Sequence, residues 1–263
     1  MILEDLHTHT TYCDGKDSPE DMVKSAIEKG LRTIGFSGHI YMPHATYCIR
    51  KENMTKYVEE INCLKEKYKG KIKILCGIET DLYSDEDLSS FDYVIGSVHD
   101  IRIGNEFLTI DHTREIWESG VNKFFDGDQY SAAESYFPLV VECIKKSNAN
   151  IIGHFDLITK FNEGYCMFDE THPRYVAAYQ KAIDALIPFD KPFEINTGAM
   201  SRGYRTEPYP CLDILKYIAK KGGKFILSGD THAKENLCYC FDKAAQIAKN
   251  AGITKLCTSD DIM

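Results

Sequence analysis

Seven short apolar runs, separated mostly by longer amphipathic stretches, constrain the fold of this chain more than any other feature. The runs are ILEDLH, RTIGFSGH, KIKILCGIETDL, FDYVIGSVHD, ANIIGHFD, KPFEINTG and GKFILSGD, and they read as strands. The stretches between them, among them PEDMVKSAIEKG, NMTKYVEEINCLKEKYKG, DQYSAAESYFPLVVECIKKS and THPRYVAAYQKAIDALI, read as helices, and KENLCYCFDKAAQIAKNAG reads as a closing helix. Ser18 and Pro19 form a helix-start signal at the first of these, and Gly30 a stop. Parallel strands need long crossovers, so this alternation predicts a parallel sheet with helices packed on it. Runs such as IKILCGIE suit strands buried on both faces. The pattern fits either an open doubly wound sheet or a closed barrel. Residues 100–129 are weakly periodic and read as a long connection with a short helix around 112–118. With no repeat and no low-complexity linker, residues 1–263 are expected to form one domain.

Polar residues fall on this scaffold in a pattern. Of nine histidines, six (His7, His9, His39, His99, His154 and His232) stand at or just beyond the C-terminal end of an expected strand. Glu79 ends the third run, Asp156 follows the fifth, and Asp230 ends the last. Active sites of parallel sheets and barrels lie at these strand ends, so the residues are expected to converge on one mouth. His7 and His9 are two apart and share a strand face. One histidine at a strand end is more often a packing residue; six together with carboxylates point to metal. Imidazole and carboxylate suit divalent zinc, manganese or iron, and do not distinguish among them. The set exceeds the three or four ligands of one catalytic zinc, which implies two or three ions with shared ligands.

Composition excludes other classes. The net charge of −9 argues against a sequence-independent nucleic-acid binder. It leaves a small phosphorylated substrate open, because metal ions reverse the local sign of the field. No stretch approaches the ~18 apolar residues of a membrane helix. The first residues are acidic where a signal peptide is basic, so a cytoplasmic protein with no membrane partner is expected. The ten cysteines are scattered through apolar stretches and read as reduced packing residues. Cys238 and Cys240, expected on the closing helix, lack the usual zinc spacing. Oligomeric state is not legible.

The blocks HTHT, SGH, GIE, GSVHD, GHFD and SGDTH resemble, in order, the signature blocks of the polymerase and histidinol phosphatase (PHP) family. Block order and chain length are most similar to its stand-alone histidinol-phosphate phosphatases. The resemblance implies a distorted seven-stranded (β/α)7 TIM-like barrel. It also implies one ion on His7, His9, Glu79 and Asp230, a second on Glu79, His99 and His154, and a third on Asp14, His39 and His232. Asp17 is the alternative to Asp14. The implied activity is hydrolysis of a small phosphate monoester, foremost L-histidinol phosphate in histidine biosynthesis. A metal-bridging hydroxide would attack directly, and Glu79, Asp230 and His232 would be catalytic, with Asp230, in preference to a neighbouring histidine, protonating the leaving alkoxide. The alternatives are a PHP phosphoesterase for another phosphorylated metabolite or nucleotide, and a non-catalytic metal-binding accessory module. An amidohydrolase also begins with H-x-H, but no lysine stands where its bridging lysine belongs.

A phosphate dianion calls for cations. Lys160, Arg202 and Arg205 follow strand ends and are the expected substrate contacts, with His44 in the loop near the mouth. Thr159 departs from the resemblance, since relatives often carry arginine there. Glu194 and Asn196 alternate on one strand and would orient ligands, bind substrate or form a buried polar pair. Asp156 is expected to accept from a ligand imidazole. Tyr41, Tyr47 and Phe161 are candidate lining residues for an imidazole or ammonium group.

Overall fold

The protein is described by a computed structural model covering residues 4–263. Its strands are β1 (Glu4–Asp5), β2 (Thr33–Phe36), β3 (Lys73–Asp81), β4 (Tyr93–Ser97), β5 (Asp100–Ile103), β6 (Glu106–Thr109), β7 (Ile151–Ile152), β8 (Pro192–Asn196) and β9 (Lys224–Ser228). All but β5 and β6 form one parallel sheet in the order β1-β2-β3-β4-β7-β8-β9, which are the seven expected strands. Chain order equals spatial order, so the sheet turns steadily one way and brings β1 round to β9.

The gap is closed at both ends. At the C-terminal mouth Thr8 pairs in parallel with Thr231, through His9 N–H to the Thr231 carbonyl (2.8 Å) and Thr231 N–H to the His7 carbonyl (2.9 Å). At the opposite end Cys257 pairs with Ile226, and Ser259 N–H donates to the Glu4 carboxylate at 2.8 Å. The result is a barrel. Leu6, Leu75, Tyr93, Ile95, Ile151 and Ile226 fill its interior. The Tyr93 hydroxyl donates to the carbonyls of Leu6 and Phe36 and so satisfies itself inside an apolar core.

The helices cover the barrel where apolar spacing placed them. Pro19–Glu28 is capped by Ser18, whose side chain accepts from Asp21 N–H at 3.2 Å; such caps contribute about 1 kcal/mol. Helices Met54–Lys67, Gln129–Ser147, Pro173–Leu186 and Leu212–Lys220 follow the sequence pattern. His172 is structural: its Nδ1 caps Pro173–Leu186 by accepting from Arg174 N–H.

Two expectations are corrected. Residues 100–129 hold more structure than the expected long connection, although the short helix expected around 112–118 is present. They form the antiparallel hairpin β5–β6 and then a helix, Arg114–Phe125, capped by Thr113. The hairpin turns at Gly104 (φ +62°), where a side chain would be strained. The closing helix begins only at Phe241, and Cys238 and Cys240 precede it at φ +58° and +56°. No helix among the described residues is long and apolar enough to cross a membrane.

Candidate metal centre

Main-chain pairing between strand ends aligns the polar residues. The Thr8–Thr231 bridge sets His7 and His9 beside Asp230 and His232. A second bridge runs His39 alongside Glu79, through Ile40 N–H to the Glu79 carbonyl at 2.9 Å. Asp230 itself is held at φ +45°, and Gly198 lies so close that a Cβ there would come within 2.5 Å of its carboxylate. That approach is why glycine follows β8.

Glu79, only 2% exposed, lies at the centre of the cluster. Its Oε2 is 2.8 Å from His39 Nδ1, 3.4 Å from His7 Nε2 and 3.7 Å from His9 Nε2. Its Oε1 is 2.9 Å from His154 Nε2 and 3.5 Å from His99 Nε2. Asp230 Oδ1 is 3.3 Å from His9 Nε2 and 3.5 Å from His232 Nδ1. Asp14 faces His232 Nε2 at 3.2 Å, and His9 and His39 at 3.7 Å each. All nine expected ligands therefore meet at the barrel mouth. Three overlapping groups have ligand atoms within 4.8 Å of one another: His9, Asp14, His39 and His232; His7, His9 and Asp230; His39, Glu79 and His99. Asp17 is directed elsewhere, accepting from Lys234 N–H at 2.9 Å.

The cluster fits metal ions by its chemistry. His7 Nε2, His9 Nε2 and His154 Nδ1 are buried without a hydrogen-bond partner, which is costly unless something else satisfies them. Burial opposes charge throughout, yet at every expected ligand with a resolved shift except His9 mutual attraction outweighs it. The surrounding imidazoles, and Arg202 beside Asp230, hold Glu79, Asp14 and Asp230 well below the usual carboxylate range. Burial lowers His99, but Glu79 and Asp81 overcome it and push its proton affinity up to about 10. For His7, Glu194, Glu79 and Asp230 likewise outweigh burial. His9 falls to about 3 through burial and the neighbouring His232 and His39.

A supporting layer orients these rings. Glu194 accepts from His7 Nδ1 at 2.5 Å and from His154 N–H at 2.9 Å, and it also forms the expected buried polar pair with Asn196. Asn196 Nδ2 donates to Glu194 at 2.9 Å. Asp81 holds His99 through both Nδ1 (3.2 Å) and the backbone N–H (2.9 Å). Asp5 ties Gly229 N–H, Thr231 Oγ1 and His7 N–H together beneath the mouth, and burial raises its pKa to about 6. Asp81 and Asp5 were missed in the sequence. Each lies two residues from a proposed ligand on the same strand, and that spacing is the signal that finds them. Asp156 contacts no ligand imidazole; it accepts from Cys211 N–H at 3.0 Å.

A cavity of about 210 Å³ opens over the cluster, lined among others by Tyr47, Asp111, His112, Lys160, Arg202 and Tyr204. Lys160 Nζ reaches it while donating to the Asp111 carbonyl (2.6 Å) and carboxylate (3.1 Å). Arg202 donates to Asp230 Oδ2 at 3.0 Å and to His232 Nδ1 at 2.9 Å. Arg205 does not line this cavity; its Nη1 donates to the carbonyl and hydroxyl of Thr159. His44 is also outside it, ion-paired with Asp100 at 3.2 Å and stacked on Phe107 at 3.7 Å. Tyr47 packs edge-on against His39. A wider cleft of about 700 Å³ adjoins the cavity and shares His112, Arg202 and Tyr204 with it.

Comparison with known proteins agrees with this geometry. The chain is similar to the histidinol-phosphatase of Lactococcus lactis, 27% identical over 270 residues, covering 97% of this chain and 93% of that one. It is similar to the histidinol-phosphatase of Bacillus subtilis at 21% identity, covering 92% and 98%. The crystal structure of the Lactococcus lactis histidinol phosphate phosphatase, complexed with zinc, L-histidinol and phosphate, superimposes with a TM-score of 0.73 at 26% identity, covering 97% and 95%. A Listeria monocytogenes structure shares the fold, with a TM-score of 0.82 at 22% identity over 91% of this chain and 99% of that one. Residues 5–198 match the PHP domain family model, and the chain belongs to the PHP family.

Proposed function

We propose that this protein is a metal-dependent phosphatase that hydrolyses a small phosphate monoester, with L-histidinol phosphate as the foremost substrate. The observation that carries this reading is the buried Glu79 carboxylate ringed by five imidazoles at the barrel mouth. Family membership and the relatives' named activity support the choice of reaction. His7, His9, Glu79 and Asp230 would hold one divalent ion, Glu79, His99 and His154 a second, and Asp14, His39 and His232 a third. When bound, such ions polarise phosphoryl oxygens and lower the pKa of an attacking water.

The chain's own residues then orient and exchange protons. Glu194 and Asp81 fix the rings of His7 and His99. Lys160 and Arg202 line the cavity where phosphoryl oxygens would sit. Asp230 is held ionised by Arg202 and its neighbouring imidazoles, so it suits ligation better than proton delivery. The adjoining cleft favours a second reading, an ester with a bulkier alcohol, since about 700 Å³ exceeds what one imidazole side chain fills.

The test is phosphate release from L-histidinol phosphate, p-nitrophenyl phosphate and a nucleoside monophosphate, with metal analysis of the same sample. Preference for histidinol phosphate supports the first reading. Equal rates, or preference for the bulkier ester, would transfer the assignment to the second. A metal-loaded protein that releases no phosphate from any of them would leave the accessory-module alternative.

A further inference from the structure

We infer that Arg205 is a positioning residue, whose buried guanidinium clamps the turn after β7 to the turn after β8 and thereby sets Lys160 and Arg202 in the cavity. The inference rests on the proposed phosphatase reading for its consequence and on the following geometry for its cause. Arg205 is only 7% exposed, although it follows a strand end where arginine is ordinarily solvated. Its Nη1 donates to both oxygens of Thr159, the residue immediately before Lys160. The turn that carries Arg205 also carries Arg202 and is internally rigid: Arg202 N–H donates to the Gly198 carbonyl, and Tyr204 and Arg205 N–H both donate to the Ala199 carbonyl. One anchored guanidinium thus fixes both cavity cations relative to each other.

Other links join the two turns, but they lie nearer solvent. Tyr204, 44% exposed, meets Phe161 edge-on at 5.5 Å, and Glu163 accepts from Thr206 N–H. Arg205 is the link shielded from water, where a hydrogen bond to a charged donor contributes most. Its charge is offset by Asp156, which is fully buried. Arg205 lies outside the residues lining the metal cavity but lines the adjoining cleft, so a test with inorganic phosphate separates positioning from contact with a bulkier alcohol.

The test measures binding of inorganic phosphate to the metal-loaded protein by calorimetry, which needs no turnover and so separates this inference from the choice of substrate. Arg205→Met is expected to weaken phosphate about tenfold with full metal content, and to raise KM for any hydrolysed ester while kcat stays within about twofold. Arg205→Lys, which keeps one donor for the Thr159 carbonyl, is expected to recover part of the loss. Unchanged phosphate affinity in a folded Arg205→Met protein overturns the inference. So does a fall in kcat with unchanged KM. If Arg205→Met does not fold, Thr159→Val decides: it deletes one acceptor, and wild-type phosphate affinity there overturns the inference, whereas a loss of a few fold supports it.

Discussion

Replacing Glu194 by Gln changes one atom in a fully buried side chain, and the structure states what must follow. Glu194 receives four donors. Oε1 accepts from His7 Nδ1 (2.5 Å) and Ser228 Oγ (2.6 Å); Oε2 accepts from His154 N–H (2.9 Å) and Asn196 Nδ2 (2.9 Å). A glutamine amide must turn its NH2 toward one pair. The His154 backbone N–H cannot become an acceptor, and the Asn196 side-chain Oδ1 already accepts from Gly198 N–H at 2.8 Å. The NH2 therefore faces Ser228, whose hydroxyl can rotate, and His7, whose Nδ1 must then accept. A neutral His7 with a bare Nδ1 carries its proton on Nε2. That atom points at Glu79 and Asp230 and is the proposed ligating nitrogen.

The variant thus blocks one ligand without removing any ligand residue. Loss of such an orienting carboxylate typically costs 10–100-fold in metal affinity, or about 1.4–2.7 kcal/mol, and the tautomer conflict places Glu194→Gln near the upper end. The assay is equilibrium dialysis against a competing chelator, with metal counted per chain and phosphatase activity measured at limiting and at excess metal. One ion should weaken selectively, with activity recovering as metal is raised. If affinity and limiting-metal activity both equal wild type, the orienting role of Glu194 is refuted.

Other perturbations separate the remaining roles. Asp14→Asn should lower metal content and activity, whereas Asp17→Asn should retain both, because Asp17 serves the Lys234 N–H; metal analysis of the pair decides. In metal-free protein His7, His39 and His99 bind protons more strongly than free imidazole, so loading metal near pH 7 should release protons from these rings. Since ions and protons compete, apparent metal affinity should rise with pH; calorimetry in buffers of different ionisation enthalpy would detect this, and zero proton release would contradict it. His44→Ala should cost about 1 kcal/mol from the lost stack on Phe107, a Tm decrease of roughly 2–4 °C, with kcat unchanged within about twofold.

The site was more legible than its surroundings, for a physical reason. Strand-end ligands are set by local facts: a β run, its end, and an i, i+2 spacing such as His7 and His9. Glu194 and Asn196 were visible for the same reason. What was hidden depends on where a long side chain goes after leaving the backbone. Lys160, Arg202 and Arg205 look alike in sequence, yet their heads end on Asp111, on Asp230 with His232, and on Thr159. His44 lies near the mouth in sequence terms but turns to Phe107 on β6. The hairpin was missed although IRIGNEFLTI holds a Gly-Asn turn between two apolar runs, because its strands are only four residues each.

The commitment of those cations bears on how the site is assembled. Asp14, Glu79, Asp111 and Asp230 face the same small space as Lys160 and Arg202, so without divalent ions the carboxylates outnumber the fixed cations. Protons on the neighbouring imidazoles offset that excess in metal-free protein, but a phosphate dianion still meets donors already spoken for. Divalent ions would replace those protons with fixed positive charge. They also bear on Arg202 through His232. A guanidinium has no lone pair, so while Arg202 Nη1 donates to His232 Nδ1 the imidazole proton resides on Nε2, the atom facing Asp14. An ion taken up by that Nε2 requires the proton on Nδ1. There the Asp230 carbonyl lies 3.0 Å away, ready to accept it in place of the Arg202 contact. Ligation at His232 and donation from Arg202 to His232 are therefore mutually exclusive. An ion held by His232 would release the Arg202 Nη1 contact to that ring, leaving Nη1 only its 3.4 Å contact to the Asp230 carbonyl in the cavity where phosphoryl oxygens would bind.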